Sequence, residues 1–320
     1  MRIGFMISKN LLSAGYPFLE TIYSWLNVVD KIYILDDSND GTEQFLATLS
    51  KNTRIVIKNR SWQSISSESL SYPGSIYATV SNYLLNYIEK QNFIKSTDLV
   101  YYIQANEIVH EKTYAFLSQL DELFPDKEAF LTYYYELIGP YVFSAQFRPR
   151  IARFLTHPQV QADGWMMGVT TPGSVRHLGK KFARDTYNYL VYRSLSRDFI
   201  EYYNYYEYLY TPEPIYRFSW IFPDNVLAKA KASKTVINLK NSEKNLYEPL
   251  SKIVYSSPDE FYSKCLVLFK DFTKTIWSSR GNRLHILNQK IISPPKVMDG
   301  ILNESKYIHR NEIVDRILSL

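Results

Sequence analysis

Lys31-Ile32-Tyr33-Ile34-Leu35, followed by Asp36-Asp37-Ser38-Asn39-Asp40-Gly41-Thr42, is the stretch that decides the fold of this chain. The apolar run is typical of a buried strand, and the residues after the acidic turn read as the start of a helix. Asp40 and Glu43 have the spacing of a capping box, and the Asp-Gly pair supplies a tight turn. Open α/β sheets bind ligands at the carboxyl ends of their strands, so the first two aspartates are candidate ligand-binding residues.

Three interpretations of this acidic turn stay open at the level of the residues. These are an ordinary strand-to-helix turn, a calcium-binding loop and a nucleotide-binding turn. The calcium interpretation rests on Asp36, Ser38 and Asp40 with Gly41 in sixth place, but the twelfth position, where such a loop needs a bidentate glutamate, is Ala47. The nucleotide interpretation rests on the ability of carboxylates to accept hydrogen bonds from a base N–H and from ribose hydroxyls.

The composition indicates a globular protein with a sizeable core. The chain has 320 residues, of which 46% are hydrophobic, so it is long enough for one large α/β domain or one domain with an appendage. Its single cysteine excludes an internal disulfide and a cysteine-rich zinc site. The apolar residues 1–7 read as a first strand rather than a signal segment, and no stretch is apolar enough to span a bilayer. We therefore expect a cytoplasmic protein, either soluble or peripherally membrane-associated.

Strand-like and helix-like segments alternate through the first half of the sequence, as in parallel sheets with crossover helices. The expected strands are 2–8, 31–35, 54–58 and 98–103, and the expected helices are 17–29, 42–50, 75–90 and 112–123. Two further strands, 129–135 and 147–154, have shorter connections and are expected as antiparallel additions. The sequence predicts an α/β fold: a mixed, mostly parallel sheet flanked by helices, with a mainly helical C-terminal region.

A second polar turn follows the predicted strand 98–103. Gln104-Ala105-Asn106-Glu107 stands where a neighbouring strand ends, so it should face the first acidic turn across a ligand crevice. Divalent metals such as Mg²⁺ and Mn²⁺ prefer oxygen ligands and often bridge carboxylates to substrate phosphates. Asn106 and Glu107 are therefore candidate metal ligands. The alternative is a loop-closing asparagine and a helix-capping glutamate.

Four landmarks, in this order, resemble those of family 2 glycosyltransferases with the GT-A (Rossmann-like) fold. They are Arg2-Ile3-Gly4-Phe5-Met6-Ile7-Ser8-Lys9-Asn10, the turn 36–42, Tyr102-Ile103-Gln104-Ala105-Asn106-Glu107, and Arg176-His177-Leu178-Gly179. The resemblance covers residues 1–190 and implies a nucleotide-sugar-binding and catalytic domain there. The resemblance does not cover residues 191–320. We expect these residues to form a mainly helical region that contacts the acceptor, another subunit or a membrane.

The resemblance also implies a nucleotide site. The first two aspartates of the acidic turn match the positions that hold the base and ribose of a nucleotide-sugar, and the polar end of the first strand matches a further part of that site. The implied nucleotide-binding residues are Lys9, Asn10, Asp36, Asp37 and Asn106. The implied donor is a UDP- or GDP-sugar.

A divalent metal, Mn²⁺ or Mg²⁺, is the cofactor that the resemblance implies. Its ligands would be Asn106, Glu107 and His177, although His177 also reads as an ordinary structural histidine. The family usually has Asp-Ala-Asp-Glu where this chain has Gln104-Ala105-Asn106-Glu107. Both aspartates are replaced by amides, so we expect weak metal binding.

The reaction implied by the resemblance is inverting direct displacement, which moves the sugar to a hydroxyl of a glycan, lipid or protein acceptor. Asp163 is the preferred catalytic base, ahead of Glu136. Arg148, Arg150 and Arg153 would offset diphosphate charge if the metal binds weakly.

Two rival interpretations remain. The first is a degenerate GT-A protein that binds nucleotide or glycan without catalysis, because both aspartates of the metal turn are replaced. The second is a nucleic-acid binder, suggested by the net charge of +5 and the basic residues after about position 229. The second leaves both polar strand ends unexplained, so we expect no nucleic-acid partner. The basic region is instead a candidate for peripheral membrane contact.

Overall fold

Parallel strands separated by helices form the first part of the molecule. The computed structural model describes residues 1–65, 75–161, 166–168, 206–236, 247–277, 286–291, 293–302 and 304–320. The strands of this part are β1 (Arg2–Ser8), β2 (Lys31–Asp36), β3 (Ile55–Asn59) and β4 (Leu99–Tyr102). Its helices are α1 (Leu11–Ala14), α2 (Phe18–Leu26), α3 (Thr42–Leu49), α4 (Trp62–Ile65) and α5 (Ser75–Glu89). β1 pairs in parallel with β2 and β4, and β2 with β3.

Strands and helices from later in the chain complete the fold. The strands are β5 (Glu107–Val109), β6 (Ala129–Ile138), β7 (Tyr141–Arg153), β8 (Gln159–Gln161), β9 (Met166–Gly168), β10 (Tyr206–Leu209), β11 (Ile215–Trp220) and β12 (Ile286–Lys290). The helices are α6 (Tyr114–Ser118), α7 (Leu120–Leu123), α8 (Pro223–Val236), α9 (Tyr247–Ser251), α10 (Pro258–Trp277) and α11 (Asn311–Leu318). Short 3-10 turns lie at Glu111–Thr113, Phe154–Thr156 and Lys296–Met298.

The main sheet of the described residues has ten strands. Their order is β3-β2-β1-β4-β7-β6-β11-β5, with β10 beside β6 and β12 beside β7, while β8 and β9 pair separately. β7 runs antiparallel to β4, β6 and β12, whereas β10 and β11 run parallel to β6. This mixed, mostly parallel sheet with flanking helices confirms the predicted fold class.

The alternation of side chains along a strand places hydrophobic residues on both faces of the sheet. In β2, Ile32 and Ile34 pack in one cluster with the apolar residues of α2, and Tyr33 and Leu35 pack in another with those of α5. A third cluster joins α8, α9 and α10 to Ile138 at the end of β6. Because both faces are covered, the ends of the strands are the part of the sheet left to bind a ligand.

The structure corrects the expected elements in three places. The expected helix 112–123 is divided into the 3-10 turn Glu111–Thr113 and the short helices α6 and α7. β6 and β7 are longer than expected, because they form one hairpin. The chain after residue 190 contributes, besides its helices, the strands β10, β11 and β12 to the main sheet.

The division of the chain at residue 190 stays a prediction. Residue 190 itself lies outside the described residues. In the parts of the chain that the structure describes, no helix has both the length and the apolar character needed to cross a bilayer.

Candidate functional site

Lys9 and Asp37, two of the predicted nucleotide-binding residues, lie together at the ends of β1 and β2. Ser8 at the end of β1 aligns with Asp36 at the end of β2, and the amide of Asp37 donates to the carbonyl of Ser8 at 3.0 Å. The Lys9 ammonium donates to Oδ2 of Asp37 at 2.7 Å, and the amide of Trp62 donates to the same oxygen at 3.0 Å. The two charged side chains therefore meet at the carboxyl ends of adjacent parallel strands.

The carboxylate of Asp37 remains available to a ligand. Burial raises its pKa, but the hydrogen bonds from Lys9 and the Trp62 amide outweigh burial and lower the pKa below its usual range. Asp37 is therefore charged at neutral pH. Its side chain is 22% exposed and that of Lys9 is 41% exposed. Both of these bonds reach Oδ2 of the carboxylate.

Asn10 and Asp36 support this pair from within the turn. Asn10 has a left-handed backbone with φ of 51°, and its Oδ1 accepts from the amide of Asn39 at 2.9 Å. The hydroxyl of Ser38 accepts from the Asn10 amide at 2.8 Å and donates to Oδ1 of Asp36 at 2.6 Å. Asp36 is only 4% exposed. These contacts join the turn after β1 to the turn after β2, so both residues position the site.

Asp40 and Glu43 hold the turn before helix α3, whose N-cap residue is Gly41 and not Asp40 as expected. Oδ1 of Asp40 accepts from the amide and hydroxyl of Thr42 at 3.1 and 2.7 Å, and Oδ2 accepts from the amide of Ser13 at 2.7 Å. Oε2 of Glu43 accepts from the amide of Gly41 at 3.1 Å, one residue later than in the expected capping box. Asp40 is therefore structural, and these contacts leave the calcium interpretation without support.

Helix α2 fixes the second polar turn. The Thr21 hydroxyl donates to the carbonyl of Ala105 at 3.1 Å, and the Trp25 indole donates to the carbonyl of Glu107 at 2.8 Å. The carbonyl of Asn106 accepts from the amide of Phe218 in β11 at 2.8 Å. Asn106 is 4% exposed and Glu107 is fully buried. The turn after β4 stands at the same sheet edge as the acidic turn, because β4 pairs in parallel with β1, but Asn106 and Glu107 are buried there and only Gln104 is partly exposed.

Beside this turn lies an arginine–glutamate cluster made of Glu107, Glu136, Arg148, Arg150 and Arg217. Oε1 of Glu107 is 2.7 Å from Nη2 of Arg150 and 3.9 Å from Nε of Arg217. Glu136 pairs with Arg148 at 3.3 Å and, through its other oxygen, with Arg217. Among the described residues, three guanidinium groups thus meet two carboxylates in this cluster.

The pKa values of two arginines reflect this arrangement. Burial lowers the pKa of Arg148 to about 10, since the attraction of Glu136 is opposed by the positive charges of Arg217 and Arg150. Burial also lowers the pKa of Arg217, but Glu136 and Glu107 outweigh it and raise the pKa above its usual value. The guanidinium groups of Arg148 and Arg217 are therefore both charged at neutral pH.

The surroundings of Glu107 do not fit a divalent cation. One carboxylate oxygen is bound by Arg150, and the other accepts from the Gln104 amide at 3.2 Å and from the Tyr134 hydroxyl at 3.5 Å. A metal at Glu107 would meet the guanidinium group of Arg150, and the two positive charges would repel each other. Among the described residues, no three His, Cys, Asp or Glu side chains come together as a metal site. His177 lies outside the described residues, so the predicted metal remains a prediction.

The remaining residues named from the sequence are the two candidate bases, Asp163 and Glu136, and Arg153. Asp163 also lies outside the described residues, so its role as catalytic base stays a prediction. Glu136, the second choice for that base, is held by Arg148 and Arg217. Arg153 does not join the cluster, because its guanidinium group pairs with Asp121 at 2.7 Å and binds backbone carbonyls of the neighbouring loops.

Sequence reasoning missed Arg217. Its Nε donates to Oε1 of Gln104 at 3.1 Å, so a side chain of the second polar turn binds an arginine of β11. Arg217 stands in the apolar run Ile215–Trp220, and a charged residue inside such a run is the signal that would have found it.

The chain was compared with known proteins in sequence and in structure. No known protein family and no curated protein matches the chain in sequence. A 4-diphosphocytidyl-2C-methyl-D-erythritol synthase from Anaerococcus prevotii is similar in structure with a TM-score of 0.34 and 11% identity, over 73% of this chain and 96% of the synthase. S. aureus TarS (1–349) gives a TM-score of 0.33 and 10% identity, over 89% of this chain and 76% of that chain.

A third solved structure is the galactosyltransferase LgtC in complex with donor and acceptor sugar analogues. It gives a TM-score of 0.29 and 10% identity, over 94% of this chain and 99% of that chain.

Proposed function

We propose that this chain is a glycosyltransferase that moves a sugar from a UDP- or GDP-sugar to the hydroxyl of a glycan, lipid or protein acceptor. The observation that carries the proposal is the Lys9–Asp37 pair at the carboxyl ends of β1 and β2. An ionised, partly exposed carboxylate at this edge is suited to bind the N–H of a base or the hydroxyls of a ribose. The four landmarks of the GT-A resemblance favour a nucleotide-sugar over other nucleotides.

The residues have separate roles in this proposal. Asp37 binds the nucleoside, and Lys9 holds its carboxylate in place. Asn10 and Asp36 keep the two turns together through Asn39 and Ser38. The polar turn 104–107 forms the neighbouring side of the crevice.

The reaction is a direct displacement at the anomeric carbon with inversion. The bond between the sugar and the diphosphate breaks, the acceptor oxygen forms the new glycosidic bond, and the nucleoside diphosphate leaves. A carboxylate takes the proton of the acceptor hydroxyl, and Asp163 is proposed for this role from the resemblance. Positive charge develops on the sugar as the leaving group departs.

A thermal-shift panel of UDP, GDP and their sugars tests the proposal. A ligand at 100 times its dissociation constant stabilises a protein by about 2.7 kcal/mol, which is a shift of roughly 5–10 °C for a chain of this size. We expect one nucleotide class to give this shift with the natural protein and not with Asp37→Ala. Glu43→Ala, which removes a nearby acidic cap of α3, is the matched control and should keep the shift. A folded Asp37→Ala variant that binds as the natural protein does would refute the assigned role.

A second function, nucleotide binding without catalysis, is favoured by the ion pair of Glu107 with Arg150. This pair occupies the carboxylate that a metal-dependent transferase would use. The double change Gln104→Asp with Asn106→Asp separates the two functions. If the natural protein transfers no sugar with any divalent metal and the double variant does, the binding function is correct for the natural chain.

A further inference from the structure

Three cations lie over aromatic rings along one edge of the main sheet, where helix α5 and the turn after it meet β2 and β3. The pairs, with the distance from the charged group to the ring centre, are Arg60–Tyr83 at 4.7 Å, Lys58–Tyr87 at 4.1 Å and Lys31–Phe93 at 5.4 Å. These three pairs form the cation–aromatic row. A cation over a ring is attracted by the π electrons and keeps its charge, so the row is both basic and apolar.

The register of the strands sets the three cations in line. β3 is the first strand in the order of the described sheet, and Lys58 in it aligns with Leu35 of β2. Lys31 and Leu35 are four positions apart in β2, so they lie on the same face of the sheet. Arg60 follows Lys58 by two positions and continues that face. At about 3.3 Å per residue, the row is roughly 20 Å long, which suits an extended partner better than a single small anion.

We propose that the cation–aromatic row is a contact surface for a membrane that contains anionic lipids. The lipid phosphates pair with the ammonium and guanidinium groups of the row, and the ring of Phe93 enters the headgroup region. The inference goes beyond the proposed function and does not depend on it. The surface also differs from the basic C-terminal region that the sequence suggested for membrane contact.

The carboxylates that flank the row along the chain already have other cations as partners. These pairs are Asp30 with Arg2, Asp37 with Lys9, Glu89 with His157, and Asp98 with the N-terminal amine. Among the described residues, no carboxylate forms an ion pair with any of the three cations of the row. An anionic surface is therefore the complement of the row, and lipid phosphates supply one.

Phe93 favours a membrane over a dissolved polyanion. It lies in the turn after α5 and is 45% exposed, between the exposed residues Lys90 and Lys95, while its neighbour Ile94 packs against the core. An apolar ring among lysines is suited to the interface of a bilayer, where the ring is buried and the ammonium groups stay beside the phosphates. A single-stranded nucleic acid needs free ring faces on which its bases stack, but a cation already covers one face of each ring in the row.

One end of the row adjoins the candidate functional site. The amide of Arg60 donates to the carbonyl of Asp36 at 3.0 Å, and Asp37 is the next residue. The amide of Trp62, two positions after Arg60, binds the Asp37 carboxylate. A bilayer bound along the row therefore lies beside the part of the crevice where the acidic turn stands.

Sedimentation of the full chain with lipid vesicles is the first test. Vesicles of phosphatidylcholine are compared with vesicles in which about one-third of the lipid is phosphatidylglycerol. We expect binding to the anionic vesicles alone, with an affinity that falls steeply as the salt concentration rises from about 0.05 to about 0.5 M, because salt screens exposed charges. Absence of binding to anionic vesicles, or equal binding to neutral ones, would overturn the inference. Neither result bears on the proposed function, which the nucleotide panel tests separately.

The double change Lys31→Gln with Lys58→Gln locates the surface. Each lysine near an anionic membrane is worth about fivefold in affinity, so the double variant should bind anionic vesicles about 25-fold more weakly. Lys252→Gln with Lys264→Gln is the matched control, because it removes the same charge from exposed lysines of the C-terminal helices, each paired with a glutamate. The control should bind as the natural protein does. Equal losses in both double variants would mean that net charge and not the row governs binding, and would overturn the inference.

Phe93→Ser separates the apolar part of the contact from the charged part. The variant keeps every cation, so its affinity for anionic vesicles should fall about 10-fold at each salt concentration while the salt dependence stays as in the natural protein. Unchanged affinity in Phe93→Ser would overturn the insertion of the ring. Tighter binding of the natural protein to poly(U) than to anionic vesicles, at equal phosphate concentration, would identify a nucleic-acid surface and overturn the inference.

Lys90→Gln with Lys95→Gln keeps the test decisive if the Lys31 variant fails to fold. Both lysines are exposed beside Phe93, so their replacement leaves the core intact. This variant should also bind anionic vesicles more weakly than the control does. Full affinity in it, with a far-ultraviolet circular dichroism spectrum like that of the natural protein, would overturn the inference.

Discussion

At the scale of single residues, two adjacent aspartates of one turn have different surroundings. Asp36 is 4% exposed and accepts from Ser38, so it holds the turn together. Asp37 is partly exposed and pairs with Lys9, so it is the one that can meet a ligand. The sequence places both at the end of a strand, but only the packing around them separates a supporting carboxylate from an accessible one.

Gly139, in the turn between β6 and β7, gives a prediction at this scale. Its φ is +55°, and an added Cβ atom would lie 2.6 Å from the ring of Tyr262 in α10. Gly139→Ala should therefore lower the free energy of unfolding through backbone strain and through overpacking, by about 2–4 kcal/mol in total. Urea unfolding measures the loss.

Gly300→Ala is the control for that prediction. Gly300 also has a positive φ, +83°, but an added Cβ atom would meet nothing within 4 Å. It should lose about 1 kcal/mol, from backbone strain alone. Equal losses in the two variants would show that the ring of Tyr262 moves aside without cost.

At the scale of elements, the local pattern predicted the first part of the sheet well. β1 matches the expected strand 2–8, and β2, β3 and β4 differ from the expected bounds by one residue at most at each end. β1, β2 and β4 are mostly apolar and buried along nearly their whole length, and such runs are visible in a sequence pattern. The acidic turn was found for the same reason, because it directly follows such a run.

Elements whose neighbours are distant in the chain were missed. β11 (Ile215–Trp220) lies between β6 and β5, and β5 has only three residues. Neither has a periodic pattern long enough to identify it, and their pairing depends on tertiary contacts. Arg217 was missed with its strand. The other four members of the cluster, Glu107, Glu136, Arg148 and Arg150, were named from the sequence in other roles, but their ion pairs with one another were not predicted.

At the scale of the whole molecule, a buried carboxylate ties the last segment of the chain to the first helices. Glu20 of α2 is fully buried, accepts from the Tyr307 hydroxyl at 3.0 Å and lies 3.5 Å from Arg310. Burial raises the pKa of Glu20 above its usual value, and the bonds from Tyr307 and Arg310 offset this only in part. Docking of residues 304–320 is therefore linked to protonation of this carboxyl group.

The sign of the resulting pH dependence follows from the raised pKa. The folded state binds the proton more tightly than the unfolded state, so the stabilising contribution is fully present below the unfolded pKa and is lost as pH rises through the folded pKa. Compared with Glu20→Gln, the natural protein should therefore gain stability between about pH 7.5 and about pH 5. Urea unfolding of both proteins at the two pH values measures this difference.

Glu122→Gln is the control for Glu20, because Glu122 is an exposed glutamate on α7. Its stability should follow that of the natural protein at both pH values. A Glu20→Gln variant that also follows the natural protein would mean that the buried carboxyl group does not link docking to pH.

The position of β11 in the sheet has a consequence for how the protein is made. Gln104 and Arg217 touch in the finished fold but are separated by 113 positions along the chain. In a nascent chain, strands β1, β2, β3 and β4 can pair early, because they lie near one another in the sequence. β5 and Glu136 can contact β11 only after residues 215–220 have been synthesised. Contacts of such long separation form slowly, and a chain halted before them exposes unpaired strand edges. The proposed nucleotide-binding part of the crevice should thus form during synthesis well before the part that contains the arginines.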